Sequence, residues 1–192
     1  MKNILLREEI IPFGIVISLL ILTTLFLDLT LHFFQLVWLG RYLGIPGVLF
    51  IILSFGYSLR KRRMIHFSSP KTMLQVHEVL SLIGALLLMV HAGVHFNAIL
   101  PWLALIAMLI NVISGLTGRV LLKHSQKRLK SLKAQLEQKG MSKADIDSEL
   151  HLEAATTVVM KKWRKVHFPI AFIFLFLASL HVLSLWLLGA HL

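Results

Sequence analysis

The chain contains no cysteine among its 192 residues. Disulfides, zinc–thiolate sites and cysteine-ligated iron–sulfur clusters are therefore excluded, because each needs cysteine sulfur. Charged residues are also scarce, at 15% of the chain, whereas hydrophobic residues make up 57%. A soluble domain of this length needs more polar surface. The composition therefore indicates a protein of the lipid bilayer.

Acidic residues are few: 9, against 20 basic ones, for a net charge of +11. The basic residues lie in polar segments between apolar runs. Cytoplasmic loops of membrane proteins usually carry an excess of Lys and Arg, which explains this distribution, so no nucleic-acid partner is expected. A cleaved signal peptide is not expected in residues 1–28. Glu8 and Glu9 make its start acidic, the apolar part is too long, and no small-residue cleavage site follows.

Five apolar runs predict membrane spans, since a bilayer core of about 30 Å needs about 20 helical residues. None alternates with period 2, and backbone in lipid must bond internally, so helices are expected. The expected fold is an all-α membrane bundle of about five helices, a single domain over 1–192. The expected spans are roughly Ile10 to Leu27, Gly47 to Leu59 (starting as early as Leu43), Val76 to Phe96, Ala98 to Leu116 and Val166 to Leu188.

Loop charge predicts the orientation. Nineteen of the twenty basic residues fall on one side of these spans, and only Arg41 falls on the other. We therefore expect a multi-pass protein of the bacterial inner membrane, with the N-terminus in the cytoplasm and the C-terminus outside. The polar segment 119–165 predicts a cytoplasmic helical extension that stops at Gly140. A second helix opens with a capping box over 142–145, so the extension forms a hairpin. This hairpin is either a solvated connector or a docking surface.

Two apolar segments begin and end with histidine at the same interval. HEVLSLIGALLLMVH runs from His77 to His91, and HFPIAFIFLFLASLH runs from His167 to His181. Fourteen helical residues make nearly four turns, about 40° short of a whole number, with a rise of about 21 Å. Each pair thus shares one helix face, near opposite leaflets. Because both spans run in the same direction, His77 is expected level with His167, and His91 with His181.

Two levels of facing imidazoles are what two stacked b-type haems require, with one axial ligand from each helix. The competing interpretation is that each histidine bonds to a neighbouring helix. Ionisable side chains at membrane depth are costly and usually functional, and the matched interval favours haem ligation. Gly84, seven residues from both His77 and His91, either admits a porphyrin edge or lets helices pack closely.

Other histidines and polar residues have weaker assignments. His95 also lies on the ligand face and could replace His91 as a haem ligand. In the competing interpretation, His95 contacts a haem propionate or water at the outer surface. His32, His95 and His191 form a possible outer cluster for a metal or substrate. A quinone is the second cofactor considered, and a haem-free anchor or transporter is the alternative from another class. The residues considered for a quinone are Asp28, Glu78, Asn97, Asn111 and Ser114.

The chain resembles dihaem b cytochromes of the ferric reductase and NADPH oxidase type in its span order and in histidines fourteen apart on the third and fifth spans. The W-R-x-x-H sequence from Trp163 to His167 is similar to bacterial dihaem cytochrome b subunits. The resemblance implies two haem b groups and transmembrane electron transfer within a hetero-oligomeric redox complex. No sixth span or flavin domain is found. A separate iron–sulfur protein or flavoprotein, or a quinol, is therefore expected as the redox partner.

Overall fold

The computed structural model describes residues 11–56, 69–93, 99–143, 145–146 and 155–188. This part of the chain is helical and contains no strand, as expected. Its helices, in chain order, are α1 (Ile11–Phe33), α2 (Val37–Tyr42), α3 (Gly44–Ser54), α4 (Pro70–Gly93), α5 (Ile99–Gln138) and α6 (Ala155–Leu188).

Five stretches of the described residues are long and apolar enough to cross a membrane. Many of their large side chains face outward; Phe33 is 81% exposed and Trp186 is 74% exposed. Soluble monomers do not expose apolar surface on this scale. The five stretches therefore suit a multi-pass protein in contact with lipid. They are Ile11–Phe33, Val37–Ser54, Thr72–Gly93, Ile99–Gln138 and Lys162–Leu187.

The second span differs from its expected bounds. It begins at Val37, ten residues before the expected start at Gly47, and it consists of two helices, α2 and α3, that meet at Leu43. The end expected at Leu59 lies outside the described residues. The first span was also underestimated, because α1 continues beyond Leu27 to Phe33. Asp28 and His32 ended the apolar run in sequence but not the helix.

The helices pack chiefly as two pairs, α3 with α4 and α5 with α6, joined by contacts between α4 and α5. Helix α1 lies against α4, whereas α4 and α6 make little direct backbone contact with each other. The buried core draws on four helices, with Ile51, Ala85, Met108 and Phe174 at its centre. Phe174 is seven residues from both His167 and His181, so the core lies between the two ends of the histidine segments.

Helix α5 continues 22 residues beyond the expected span end at Leu116, as the polar pattern predicted, and ends at Gln138. Gly140 follows with φ of +73°, and the N–H groups of Gly140 and Met141 donate to the carbonyls of Glu137 and Leu136. This pattern is a Schellman motif, which needs glycine at the left-handed position. The expected stop at Gly140 is therefore confirmed.

The capping box after Gly140 is present in part. Ser142 Oγ accepts from the Asp145 N–H at 3.3 Å and donates to the Asp145 carboxylate at 2.6 Å. Leu136 and Ile146 are both buried, at 7% and 3% exposure. Residues 147–154, which belong to the expected second helix between the capping box and Trp163, lie outside the described residues, so the hairpin stays a prediction.

Candidate functional site

The four histidines of the matched segments come together in pairs. The ring centres of His91 and His181 are 6.4 Å apart, at an interplanar angle of 53°. His77 and His167 both lie beside the same part of α5: Glu78, next to His77, pairs with Arg119, and His167 contacts Ser114 about one turn away on that helix. We call His77 and His167 the first level, and His91 and His181 the second level. Because both pairs meet in this order, α4 and α6 run in the same direction, as the spacing argument requires.

His77 is oriented by the end of α3. Its Nδ1 lies 2.8 Å from the carbonyl oxygen of Ser54, the last residue of that helix. The final carbonyls of a helix have no partner within the helix, so the imidazole caps one of them. A carbonyl only accepts, which places the proton of a neutral ring on Nδ1 and the lone pair on Nε2.

His91 is held in a similar way by the second span. Its Nδ1 lies 3.2 Å from the carbonyl oxygen of Gly40, in the last turn of α2. The break between α2 and α3 makes this a helix end within the membrane span. A Cβ added to Gly44 would lie 3.0 to 3.1 Å from three atoms of the His91 ring, including Nε2. Gly44 therefore gives the imidazole room against the start of α3.

His167 is held by side chains of α5 and of its own helix. Its Nδ1 lies 3.1 Å from the Ser114 hydroxyl oxygen. The Trp163 indole stacks on its ring, with centres 4.7 Å apart and planes 19° apart. The indole N–H in turn donates to the Ser114 carbonyl at 2.9 Å. A Cβ on Gly118 would overlap that indole, so a glycine is required where Trp163 crosses α5.

The residues of both levels suit axial ligation of a haem iron. Imidazole nitrogen binds transition-metal ions at about 2 Å, and its ring centre is about 1 Å further back, so two imidazoles on one iron have centres about 6 Å apart. The second level, at 6.4 Å, agrees. Metal-bound histidines usually donate their other N–H to a backbone carbonyl or another acceptor. His77 and His91 already have that arrangement, and Ser114 offers the acceptor to His167.

No group of three or more His, Cys, Asp or Glu side chains that could hold a metal ion occurs within the described residues. A porphyrin iron takes only two axial ligands from the protein, so a pair suffices. The outer cluster considered for His32, His95 and His191 cannot be placed, because the last two lie outside the described residues. So do Asn97, the loop histidines His66 and His151, and the basic run 60–63.

Gly84 lies in the contact between α4 and α3. A Cβ there would be 2.9 Å from two Ile51 side-chain atoms and 3.0 Å from the Gly47 carbonyl oxygen. Gly47 makes the reciprocal contact, since its Cβ would lie 2.9 Å from Leu88. Close helix packing, one of the two roles considered for Gly84, thus accounts for the glycine. A contact between Gly84 and a porphyrin stays a prediction.

Polar groups considered for a quinone are spread over three helices. Glu78 on α4 forms an ion pair with Arg119 on α5, with a nitrogen–oxygen distance of 3.2 Å. This ion pair links the two helix pairs beside the first level. Asp28 Oδ1 and Asn111 Oδ1 are buried side-chain oxygens with no hydrogen-bond partner in the described structure. His32 Nδ1 lies 2.9 Å from the Asp28 backbone carbonyl and 3.6 Å from the carboxylate.

The sequence pattern found the four histidines but missed three groups that orient two of them, His77 and His91. Gly40, Gly44 and Ser54 were not singled out, because two of them act through backbone carbonyls and the third through an absent side chain. The available signal was the spacing of Gly40, Gly44 and Gly47 in the second span. Comparison of the chain with protein-family models, curated proteins and solved structures found no match in any of the three searches.

Proposed function

We propose that this chain is the membrane cytochrome b subunit of a redox complex and carries electrons across the bilayer through two b-type haems. His77 and His167 would hold one haem, and His91 and His181 the other. The observation that carries the proposal is the contact between His91 and His181, with His77 and His91 oriented by helix-end carbonyls.

Each haem, when bound, would supply a one-electron carrier. The protein would supply two histidines to each haem, an arrangement that favours electron transfer over chemistry with substrate or oxygen at the metal. The Nδ1 bonds of His77 and His91 to backbone carbonyls keep these two rings in one tautomer and one orientation. The two levels are separated by about 21 Å of helix rise, near opposite sides of the membrane.

The proposal includes a setting for the chain. It lies in a bacterial inner membrane, with its N-terminus in the cytoplasm, as the distribution of basic residues favours. It belongs to a hetero-oligomeric complex, like the dihaem b cytochromes that it resembles. A separate iron–sulfur protein or flavoprotein, or a quinol, exchanges electrons with it.

Haem content of the purified chain tests this function. We expect a b-type reduced-minus-oxidised spectrum and about two haems per chain. His91→Ala should remove one haem, because it deletes one of two axial ligands. His32→Ala serves as the matched control: it removes a half-exposed histidine of α1 and should leave both haems. A colourless wild-type chain, or two haems retained in His91→Ala, would contradict the proposal.

A quinone-reactive anchor is the second candidate, and two buried acceptors favour it. Asp28 Oδ1 and Asn111 Oδ1 have no hydrogen-bond partner among the described residues, and a quinol hydroxyl could donate to either oxygen. A hydroxyquinoline-type quinol analogue should then shift the haem spectrum of the wild-type chain. The shift should weaken in Asp28→Leu and Asn111→Leu, because each substitution removes the side-chain acceptor. A spectrum that does not respond to saturating analogue would count against this candidate.

A further inference from the structure

The first level contains a side-chain cluster built around His167. Ser114, Gly118, Trp163 and His167 meet where α5 crosses α6. Trp163 is fixed twice: its N–H donates to the Ser114 carbonyl at 2.9 Å, and its indole lies against the Gly118 backbone. The indole is thereby held nearly parallel to the imidazole, with an angle of 19° between the two ring planes.

Ser114 serves both rings of this cluster. Its backbone carbonyl accepts from Trp163, and its hydroxyl oxygen lies 3.1 Å from His167 Nδ1. His77 and His91 instead face backbone carbonyls at Nδ1, which side-chain substitution cannot delete. His167 therefore differs from His77 and His91, because its Nδ1 contact can be removed by a single side-chain substitution.

We propose that Ser114 and Trp163 are positioning residues that fix the tautomer and ring plane of His167 and so set the reduction potential of the first-level haem. This inference rests on the proposed function. With Nε2 on the iron, Nδ1 carries the proton and donates to Ser114 Oγ. That donation makes the imidazole a stronger electron donor, as outer-shell acceptors do for metal-bound histidine. Stronger donation stabilises the ferric state and lowers the potential.

Trp163 acts on the ring plane. An imidazole with its Nδ1 bond alone can still turn about that bond, whereas an indole 4.7 Å from its face limits the rotation. The orientation of axial imidazole planes shapes the low-spin ferric signal in electron paramagnetic resonance (EPR). Loss of the stack should therefore broaden or shift the signal of one haem and leave the other unchanged.

The test is a redox titration of the haem-loaded, full-length chain, followed optically and by EPR. Ser114→Ala should raise the midpoint potential of one haem and leave the other at its wild-type value. Ser114→Thr keeps the hydroxyl and should restore the wild-type potential. Thr117→Val is the matched control, since its hydroxyl donates to the Ile113 carbonyl of the same helix, and both potentials should stay unchanged.

Trp163 is tested by a matched pair of substitutions. Trp163→Phe keeps an aromatic ring against His167 and should retain most of the wild-type EPR signal. Trp163→Leu removes the stack and should alter the signal of the first-level haem alone. Equal signals in both variants and the wild type would overturn the assignment of Trp163.

The outcomes separate this inference from the proposed function. A wild-type chain with fewer than two haems would overturn the proposed function. Two haems in the wild type, with both potentials unchanged in Ser114→Ala, would overturn the role of Ser114 and leave the haem assignment standing. A shift of both haems in Ser114→Ala would also overturn it, because the hydroxyl contacts a histidine of one level only.

Discussion

At the scale of single residues, His77 and His91 are oriented by hydrogen bonds from Nδ1 to backbone carbonyls. Two imidazoles cap helix ends: His77 contacts the last carbonyl of α3, and His91 contacts a carbonyl in the last turn of α2. An uncapped carbonyl within a membrane is costly, since no water is present to bond it. The contact with Ser54 thus serves the end of α3 and the histidine together, whereas the Gly40 carbonyl also accepts from the Leu43 N–H at 3.3 Å. The His91 ring also lies against Gly44, where an added Cβ would be 3.0 Å from Nε2.

Gly44→Ala should disturb the second level selectively. The new Cβ would lie 3.0 Å from His91 Nε2, so the ring or the start of α3 must move. Overpacking of this kind typically costs about 1–3 kcal/mol. We expect a weakened or spectrally altered second haem, and an unchanged first haem, in optical spectra of the purified variant.

Gly14→Ala is the control for that experiment. Nothing lies within 4 Å of a Cβ at Gly14 on α1, so both haem signals should match the wild type. Equal spectra for Gly44→Ala and the wild type would show that the ring is not confined as described.

At the scale of helices, α3 and α4 approach closely because glycines face each other. Gly84 packs against Ile51 and the Gly47 carbonyl, and Gly47 packs against Leu88. Without a hydrophobic drive between helices in lipid, small residues at the contact let backbones approach and pack. This contact carries both the carbonyl that meets His77 and the glycine that confines His91. The packing of α3 on α4 therefore determines the positions of the His77 and His91 side chains.

Gly84→Ala should loosen this helix pair. A methyl group 2.9 Å from Ile51 and 3.0 Å from the Gly47 carbonyl should destabilise the chain by about 1–3 kcal/mol, measured as thermal unfolding in detergent. Ile51→Ala combined with Gly84→Ala should recover part of the loss, because one of the two crowded neighbours is removed.

Gly56→Ala is the matched substitution at this contact's edge, where the nearest atom, Met73 Cε, is 3.7 Å away. It should change stability little. If Gly84→Ala proved as stable as Gly56→Ala, the close packing of α3 on α4 would be wrong.

The sequence predicted the elements better than their junctions. The lengths of the apolar runs predicted five spans, and Gly140, after the basic segment that begins at Arg119, predicted the end of α5. The break at Leu43 was missed because the residues on both sides are equally apolar, and hydropathy does not report a change of backbone hydrogen bonding. The same limit hid the carbonyls of Gly40 and Ser54, since a backbone acceptor has no residue signature.

At the scale of the whole molecule, the described helices form two pairs with a histidine-bearing helix in each. Helix α4 packs on α3, α6 packs on α5, and α4 and α6 make little direct backbone contact. His91 and His181 nevertheless meet, and His77 and His167 both lie beside the Ser114–Arg119 part of α5. The interval of fourteen predicted this meeting, since equal spacing on helices of the same direction aligns both ends at once.

The pairing of the histidines is the central claim, and haem loss in four single variants tests it most directly. His77→Ala, His91→Ala, His167→Ala and His181→Ala are each purified and titrated, and the remaining haem is identified by its potential and EPR signal. We expect His77→Ala and His167→Ala to lose the same haem, and His91→Ala and His181→Ala to lose the other. A different grouping, or retention of both haems in any of the four, would contradict the account.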